Sequence, residues 1–164
     1  MKLELIAGGR VKRRTVSQRT PPRWTAADLR AAVAGLRGTA TFNAPLKDYT
    51  SFRIGGPADV LVMPADTEDV CRLVRQAQTA DIPIFVLGGT NLLVRDHGIR
   101  GIVVSLAKMK AITDEPGHVL YAEGGVGMPT LMKHATSRGM SGLEWAAGIP
   151  GTAAGCVVMN AVAT

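Results

Sequence analysis

The sequence predicts an α+β protein of two small lobes, an α/β unit followed by a second, α+β unit. Three observations carry that expectation. Short apolar runs (Val60–Met63, Ile84–Leu87, Ile102–Leu106, Val119–Glu123) alternate with stretches whose apolar residues recur at helical spacing. The runs are punctuated by glycines and prolines rather than by long polar linkers, which keeps the connections short. A chain of 164 residues, 46% hydrophobic and 20% charged, is long enough for one solid core or two packed lobes, and it has no apolar stretch of membrane-spanning length.

The net charge of +6 is unevenly placed. Residues 1–24 hold seven Lys or Arg against Glu4 alone, while the rest of the chain has twelve of each sign. The basic excess therefore belongs to an N-terminal arm, read as a solvated tail rather than a nucleic-acid or transit segment. Aromatics at 4% argue against a base-stacking surface for single-stranded nucleic acid. Cys71 and Cys156 lie far apart, without metal-type spacing, and read as buried reduced thiols; no metal site is expected.

In chain order, Pro21-Pro22 closes the arm and Thr25-Ala-Ala-Asp28 forms a capping box. Leu29, Ala32, Val33 and Leu36 define the helix that follows, with Gly38 as its stop and Arg30 and Arg37 facing water. Thr39 to Thr50 reads as a connecting segment, and Gly55-Gly56-Pro57 as a turn into the strand Val60–Met63. Asp66 or Thr67 caps a helix with an apolar face of Val70, Leu73, Val74 and Ala77. Ile84–Leu87 reads as a short buried strand, reached through a right-handed crossover. A second lobe begins near Ala111, with a strand at Val119–Glu123, a Gly124-Gly125-Val-Gly127 turn, a helix opened by Pro129 and stopped by Gly139, and a helix opening at Ala153. The glycine pair Gly125-Val-Gly127 is not a dinucleotide fingerprint, because the third glycine and the following acid are missing.

Two glycine-rich turns are candidate binding elements. Leu87-Gly88-Gly89-Thr90-Asn91-Leu92 stands at a strand end, where glycines leave room for a ligand and backbone N–H groups can converge on a phosphate. Taken alone, it is equally a plain turn. Gly148-Ile149-Pro150-Gly151-Thr152 leads into Ala153-Ala154-Gly155, where small residues at a helix start would admit an anion; close helix packing through Gly151 and Gly155 is the alternative.

Three longer motifs make the pair specific. Tyr49-Thr-Ser-Phe-Arg-Ile-Gly-Gly-Pro-Ala-Asp59, Val86-Leu-Gly-Gly-Thr-Asn-Leu-Leu-Val94, and Gly148-Ile-Pro-Gly-Thr152 through Val158-Met-Asn160 resemble the UDP-N-acetylenolpyruvoylglucosamine reductase family, in order and at matching separations from about Leu29 to Asn160. The resemblance implies an FAD-binding fold of the vanillyl-alcohol-oxidase or PCMH type. It implies noncovalent FAD, its pyrophosphate on Gly88, Gly89, Thr90 and Asn91 with Leu87 and Leu92 flanking, and its flavin side on Gly148, Ile149, Pro150, Gly151, Thr152 and Gly155. It further implies a cytoplasmic, monomeric oxidoreductase without a membrane partner, using NADPH to reduce a UDP-sugar for peptidoglycan synthesis, and so serving cell shape and division.

Two departures qualify these expectations. The first turn is one residue shorter than the family pattern, which displaces its N–H groups by up to about 3.5 Å. The family's catalytic arginine, serine and glutamate fall past Thr164, so no catalytic residue is assigned. The expected organisation is an arm over 1–24 and an FAD-binding domain over 25–164, its lobes spanning about 39–108 and 111–164. The second lobe is expected to be incomplete and the substrate domain absent. This chain alone is then expected to be inactive; a non-catalytic flavin or nucleotide module is the first alternative, and nucleic-acid binding through the basic arm the second.

Overall fold

A computed structural model of the chain describes residues 23–88 and 92–161. The basic arm through residue 22 and the residues Gly89, Thr90 and Asn91 lie outside the described residues.

The first helix, α1 (Ala26–Ala32), opens on the expected capping box. Thr25 Oγ1 accepts from the Asp28 backbone N–H at 3.2 Å, and the Asp28 carboxylate accepts from the Thr25 N–H at 2.7 Å. The helix ends earlier than the sequence suggests, at Val33, with Gly35 at φ +74° beyond it. Gly38 is not its stop. A Cβ there would collide with the Met63 carbonyl oxygen, so this glycine answers to tertiary contact.

The supposed connector from Thr39 to Thr50 contains an edge strand, β1 (Thr39–Pro45), and a 3₁₀ turn over Leu46–Tyr49. β1 pairs antiparallel with β2 (Pro57–Met63), which starts three residues before the apolar run at Val60. Helix α2 (Thr67–Thr79), capped by the Asp66 carboxylate on the Asp69 N–H, crosses to β3 (Ile84–Leu87). The next strand, β4 (Ile99–Ser105), then inserts between its predecessors, giving the order β1-β2-β4-β3 with β2, β4 and β3 parallel.

One face of this sheet packs on the helices, where Leu29, Ala32, Val60, Val62, Leu73, Ala77, Ile102 and Val104 form a buried cluster. The other face is covered by the 3₁₀ turn and the returning segment after residue 91, with Leu46, Ala58, Leu61, Leu87, Val94 and Val103 buried together. Leu73 is completely buried, and its truncation to Ala would cost about 2–5 kcal/mol.

β3 is not the buried strand expected from its apolar run. It lies at the sheet edge, so Phe85 and Val86 are exposed and Ile84 and Leu87 turn inward. Cys71 likewise proves exposed, on the outer side of α2, whereas Cys156 is buried; both are free thiols.

A buried carboxylate ties the first lobe together. Asp69, 2% exposed, accepts from the backbone N–H groups of Gly38 (2.7 Å), Ala65 (2.9 Å) and Arg37 (3.1 Å). Burial alone would raise its pKa, but the three backbone donors, aided by the Arg37 charge, hold it down at about 2. The Arg37 guanidinium is solvent-facing yet engaged, 2.6 Å from Asp66 and 3.0 Å from Glu68. Arg30 lies over the Phe42 ring at 5.1 Å from its centroid.

Beyond Leu106 the chain builds a two-stranded antiparallel ribbon, β5 (Ile112–Glu115) with β6 (Val119–Ala122). β5 has no counterpart in the sequence reading. Helix α3 (Met128–Ser137) follows, with proline in its first turn as expected, and Gly139 at φ +67° just past its end. The ribbon is tied to α3 by Asp114, whose carboxylate meets His134 Nε2 at 2.8 Å and Arg138 Nη2 at 2.7 Å. The short helix α4 (Ala153–Val158) closes the described chain. Its side chains Val157, Val158 and Met159 are exposed, while Cys156 packs with Met128, Ala146 and Ile149.

Candidate functional site

The first candidate turn leaves the carboxyl end of β3. Leu87 pairs with Ser105 of β4 and buries its side chain beside Leu61, Val94 and Val103, so the strand end is fixed from below. At Gly88 a Cβ would meet no atom of the described residues within 4 Å. Gly89, Thr90 and Asn91 fall outside the described residues. The chain is pinned again on the far side, where Leu92 packs on the same cluster and Val94 is buried within it.

The second turn is held differently. Ile149 is buried against Met128, Ala146 and Cys156, which anchors the middle of the loop while Pro150 stays exposed. Gly148 (φ +84°) and Gly151 (φ +125°) take backbone conformations that other residues adopt at a cost, so the glycines here are required by the path of the chain. Thr152 caps α4, its Oγ1 accepting from the Gly155 N–H at 3.2 Å.

The sequence reading overlooked what this loop rests on. Gly127 and Thr152 form an antiparallel bridge, the Met128 N–H donates to the Gly151 carbonyl (2.9 Å), and the Ala153 N–H donates to the Val126 carbonyl (2.7 Å). The Gly124–Gly127 turn, dismissed above as a fingerprint, is thus the platform beneath the second candidate loop. The available signal was the density of glycines, which need close backbone approach: a Cβ on Gly125 would strike the Leu106 carbonyl oxygen.

Those bonds correct the expected role of the α4 start. The N–H groups of Ala153, Ala154 and Gly155 donate to Val126, Gly124 and Thr152, so its first turn is satisfied from within and does not present an anion site. The packing alternative fails as well. Gly151 precedes the helix, and a Cβ on Gly155 would meet only Thr152 Oγ1 within 4 Å.

The strand end that enters the first turn and the platform under the second loop meet at one end of the first lobe. β3 and β4 are parallel and end together at Leu87 and Ser105. Leu106, the next residue, brings its side chain onto Gly124, and the Gly124 carbonyl accepts from Ala154, two residues past Thr152. Neither Leu87–Leu92 nor Gly148–Gly155 contains an ionisable side chain. A ligand there would be met by backbone dipoles and apolar surface rather than by a counter-charge, which suits a diphosphate-linked, partly aromatic molecule.

This arrangement, a parallel-strand lobe joined to a second lobe with uncharged glycine turns at the junction, defines a nucleotide-cofactor-binding unit of the flavoprotein class. Residues 58–164 match the family profile described as FAD binding domain, and the chain belongs to that family. It is 47% identical over 123 residues to a UDP-N-acetylenolpyruvoylglucosamine reductase of Rubrobacter xylanophilus, covering 74% of this chain and 41% of the relative. The corresponding reductase of Syntrophomonas wolfei is 43% identical over 120 residues, covering 73% of this chain and 40% of that one. Among solved structures, the enzyme of the same name from Thermus caldophilus is similar with a TM-score of 0.60 and 32% identity, over 78% of this chain and 44% of that one. The flavoenzyme CrmK shares the fold alone, at a TM-score of 0.52 and 14% identity over 62% of this chain and 22% of that one. The chain therefore spans about two fifths of the length of the curated reductases it matches.

Proposed function

We propose that this chain is the FAD-bearing portion of a UDP-N-acetylenolpyruvoylglucosamine reductase, with residues 25–164 as the FAD-binding domain and its lobes divided near Lys108–Ala111. The observation behind the reading is that the strand end entering the first uncharged glycine turn and the platform under the second meet through Leu106, Gly124 and Ala154. Relatives of that name support it over most of this chain.

The residues present suit the dinucleotide. No described residue lies against the Cβ side of Gly88, which leaves its backbone approachable where a pyrophosphate would lie, and Leu87 and Leu92 anchor the chain on either side of the proposed contacts Gly89, Thr90 and Asn91. Ile149 and Pro150, kept in place by Gly148 and Gly151, offer an apolar edge to the flavin side. Thr152 and Gly155 act one step removed, fixing the loop through the cap on α4. When bound, the flavin supplies the hydride relay from NADPH to the enolpyruvyl double bond, forming UDP-N-acetylmuramate for peptidoglycan. This chain's residues bind and orient it. The substrate-gripping and proton-donating groups are assigned to none of the residues of this chain. In this reading the setting is cytoplasmic and the protein monomeric, and the role in cell shape and division follows from the product. Among the described residues no helix is long and apolar enough to cross a membrane.

Titration of the purified chain with FAD, followed by flavin fluorescence and the visible spectrum, tests the reading. Saturable binding is expected. Gly88→Asp, whose Cβ would meet no described residue, should weaken it by placing a carboxylate beside the pyrophosphate while leaving the far-ultraviolet spectrum unchanged. A folded wild-type chain that fails to bind FAD refutes the proposal.

A further inference from the structure

β3 ends the four-stranded sheet on its outer side, and among the described residues no strand pairs with that edge. The register shows which groups are left over. The Ile102 N–H donates to the Pro83 carbonyl, so Phe85 and Leu87 direct their N–H groups at β4, while Ile84 and Val86 direct theirs away from the sheet. Phe85 is 37% and Val86 60% exposed, on opposite faces of the strand. Nothing in Ile84-Phe-Val-Leu87 blunts such an edge, for it holds no charge, proline or glycine.

The N-terminal arm meets this edge at one end. Residues 1–22 join the described structure at Arg23, whose Nη1 lies 3.5 Å from Asp81 Oδ2. Trp24 packs on the first buried cluster and lines a cleft with Ala77, Gln78, Asp81, Ile82 and Pro83. Asp81-Ile-Pro83 is the stretch that enters β3, so the arm departs beside the amino end of the unpaired strand. Pro21-Pro22 can turn the chain there but cannot donate to a ladder. Ahead of them Arg10–Thr20 is free of glycine and proline and carries the β-branched Val11, Thr15, Val16 and Thr20.

We infer that the outer edge of β3 receives a stretch of Arg10–Thr20 as an added strand. The pairing is antiparallel, because a chain that reaches Trp24 along this edge runs from the carboxyl end of β3 to its amino end. Four residues at about 3.3 Å each match Ile84–Leu87. A two-stranded pair alone is marginal, so the arm joins once β4 has fixed β3. The tether gives the arm a local concentration of roughly millimolar order, which favours it over a second copy of the chain. Its charge fits the same place. Arg10, Lys12, Arg13, Arg14 and Arg19 make the new outermost strand one that further strands do not join. The basic excess, which on composition alone reads as a solvated tail, then closes the sheet against edge-to-edge association.

Residue-resolved amide exchange of the full chain tests this, against a variant carrying Thr15→Pro together with Val16→Pro. Consecutive strand residues face opposite sides, so the two prolines remove an N–H toward β3 whatever the register. The Ile84 and Val86 N–H groups should exchange at least about tenfold more slowly in wild type than in the variant. Phe85 and Leu87, held by β4, should exchange equally in both and so report an intact sheet. Equal exchange of Ile84 and Val86 in the two chains overturns the inference, whether the edge is then empty or covered by other polypeptide. Protection that rises with protein concentration, together with a dimer mass by sedimentation, overturns it as well by placing a second copy on the edge.

Discussion

Replacing Asp69 by Asn would test whether the first lobe is held by one charge. The carboxylate accepts three backbone N–H groups from two separate stretches: Arg37 and Gly38 ahead of β1, and Ala65 between β2 and α2. An amide offers a single acceptor oxygen and turns its NH₂ toward donors that need an acceptor. At 2% exposure no water can substitute, so about 3 kcal/mol of stability should be lost at neutral pH. The pH dependence gives an independent signature. The folded pKa of about 2 lies below the ordinary 3.8, so this stabilisation is fully present above 3.8 and is lost as pH falls through 2. The difference corresponds to about 2 kcal/mol overall, of which about 1 kcal/mol is gone by pH 3. Urea denaturation at pH 7 and pH 3, followed by circular dichroism, measures both effects. Asp69→Asn should be much weaker than wild type at pH 7, with a smaller deficit at pH 3. A variant within 1 kcal/mol of wild type at pH 7, or a deficit that does not shrink in acid, would refute the reasoning.

Gly125→Ala should destabilise by about 3 kcal/mol or more, because the new methyl is driven into the Leu106 and Met109 carbonyl oxygens; a thermal melt reads this directly. Thr152→Ala should cost about 1 kcal/mol and speed amide exchange at Gly155, and Thr152→Ser should recover most of both. Asp114→Asn should loosen the ribbon on α3 at low salt, seen as faster amide exchange in β5. The His134 hydrogen bond, followed by the Arg138 charge, holds the Asp114 carboxyl below its ordinary value, so the contrast with wild type should fade both in acid and in concentrated salt.

Where local chemistry decides the structure, the residues could be read. The Thr25–Asp28 capping box, the Asp66 cap and Pro129 in the first turn of α3 each act within four residues of themselves. The strands that escaped notice depend on distant partners. β1 alternates polar residues with Ala40, Phe42 and Ala44 but buries only Ala44, and Asn43 at φ +53° interrupts its pleat, while β5 reads Ile-Thr-Asp-Glu; neither carries the run of β-branched apolar residues that announces a strand. The expected burial of Ile84–Leu87 failed because no local pattern reveals that β4 would take the central place.

The candidate site divides in the same way. Its two glycine turns were legible as turns, and the resemblance to the reductases gave them a ligand. The Gly124–Gly127 platform was not legible, because its importance lies in backbone contacts to Leu106, Met109 and Ala153. Nor could the sequence reveal that those contacts consume the N–H groups at the start of α4.

The strand order also governs when the site can come into being. β3 pairs only with β4 among the described strands, yet it precedes β4 in the chain. During synthesis β1 and β2 can zip together as soon as both have emerged, while the strand ending at Leu87 waits without a hydrogen-bonded neighbour until Ser105 arrives. An exposed apolar edge carrying Phe85 and Val86 is then the segment most open to the wrong partner in the nascent chain. The completion of β4 is the event that gives β3 its hydrogen-bonded neighbour and fixes the strand end from which the first glycine turn departs.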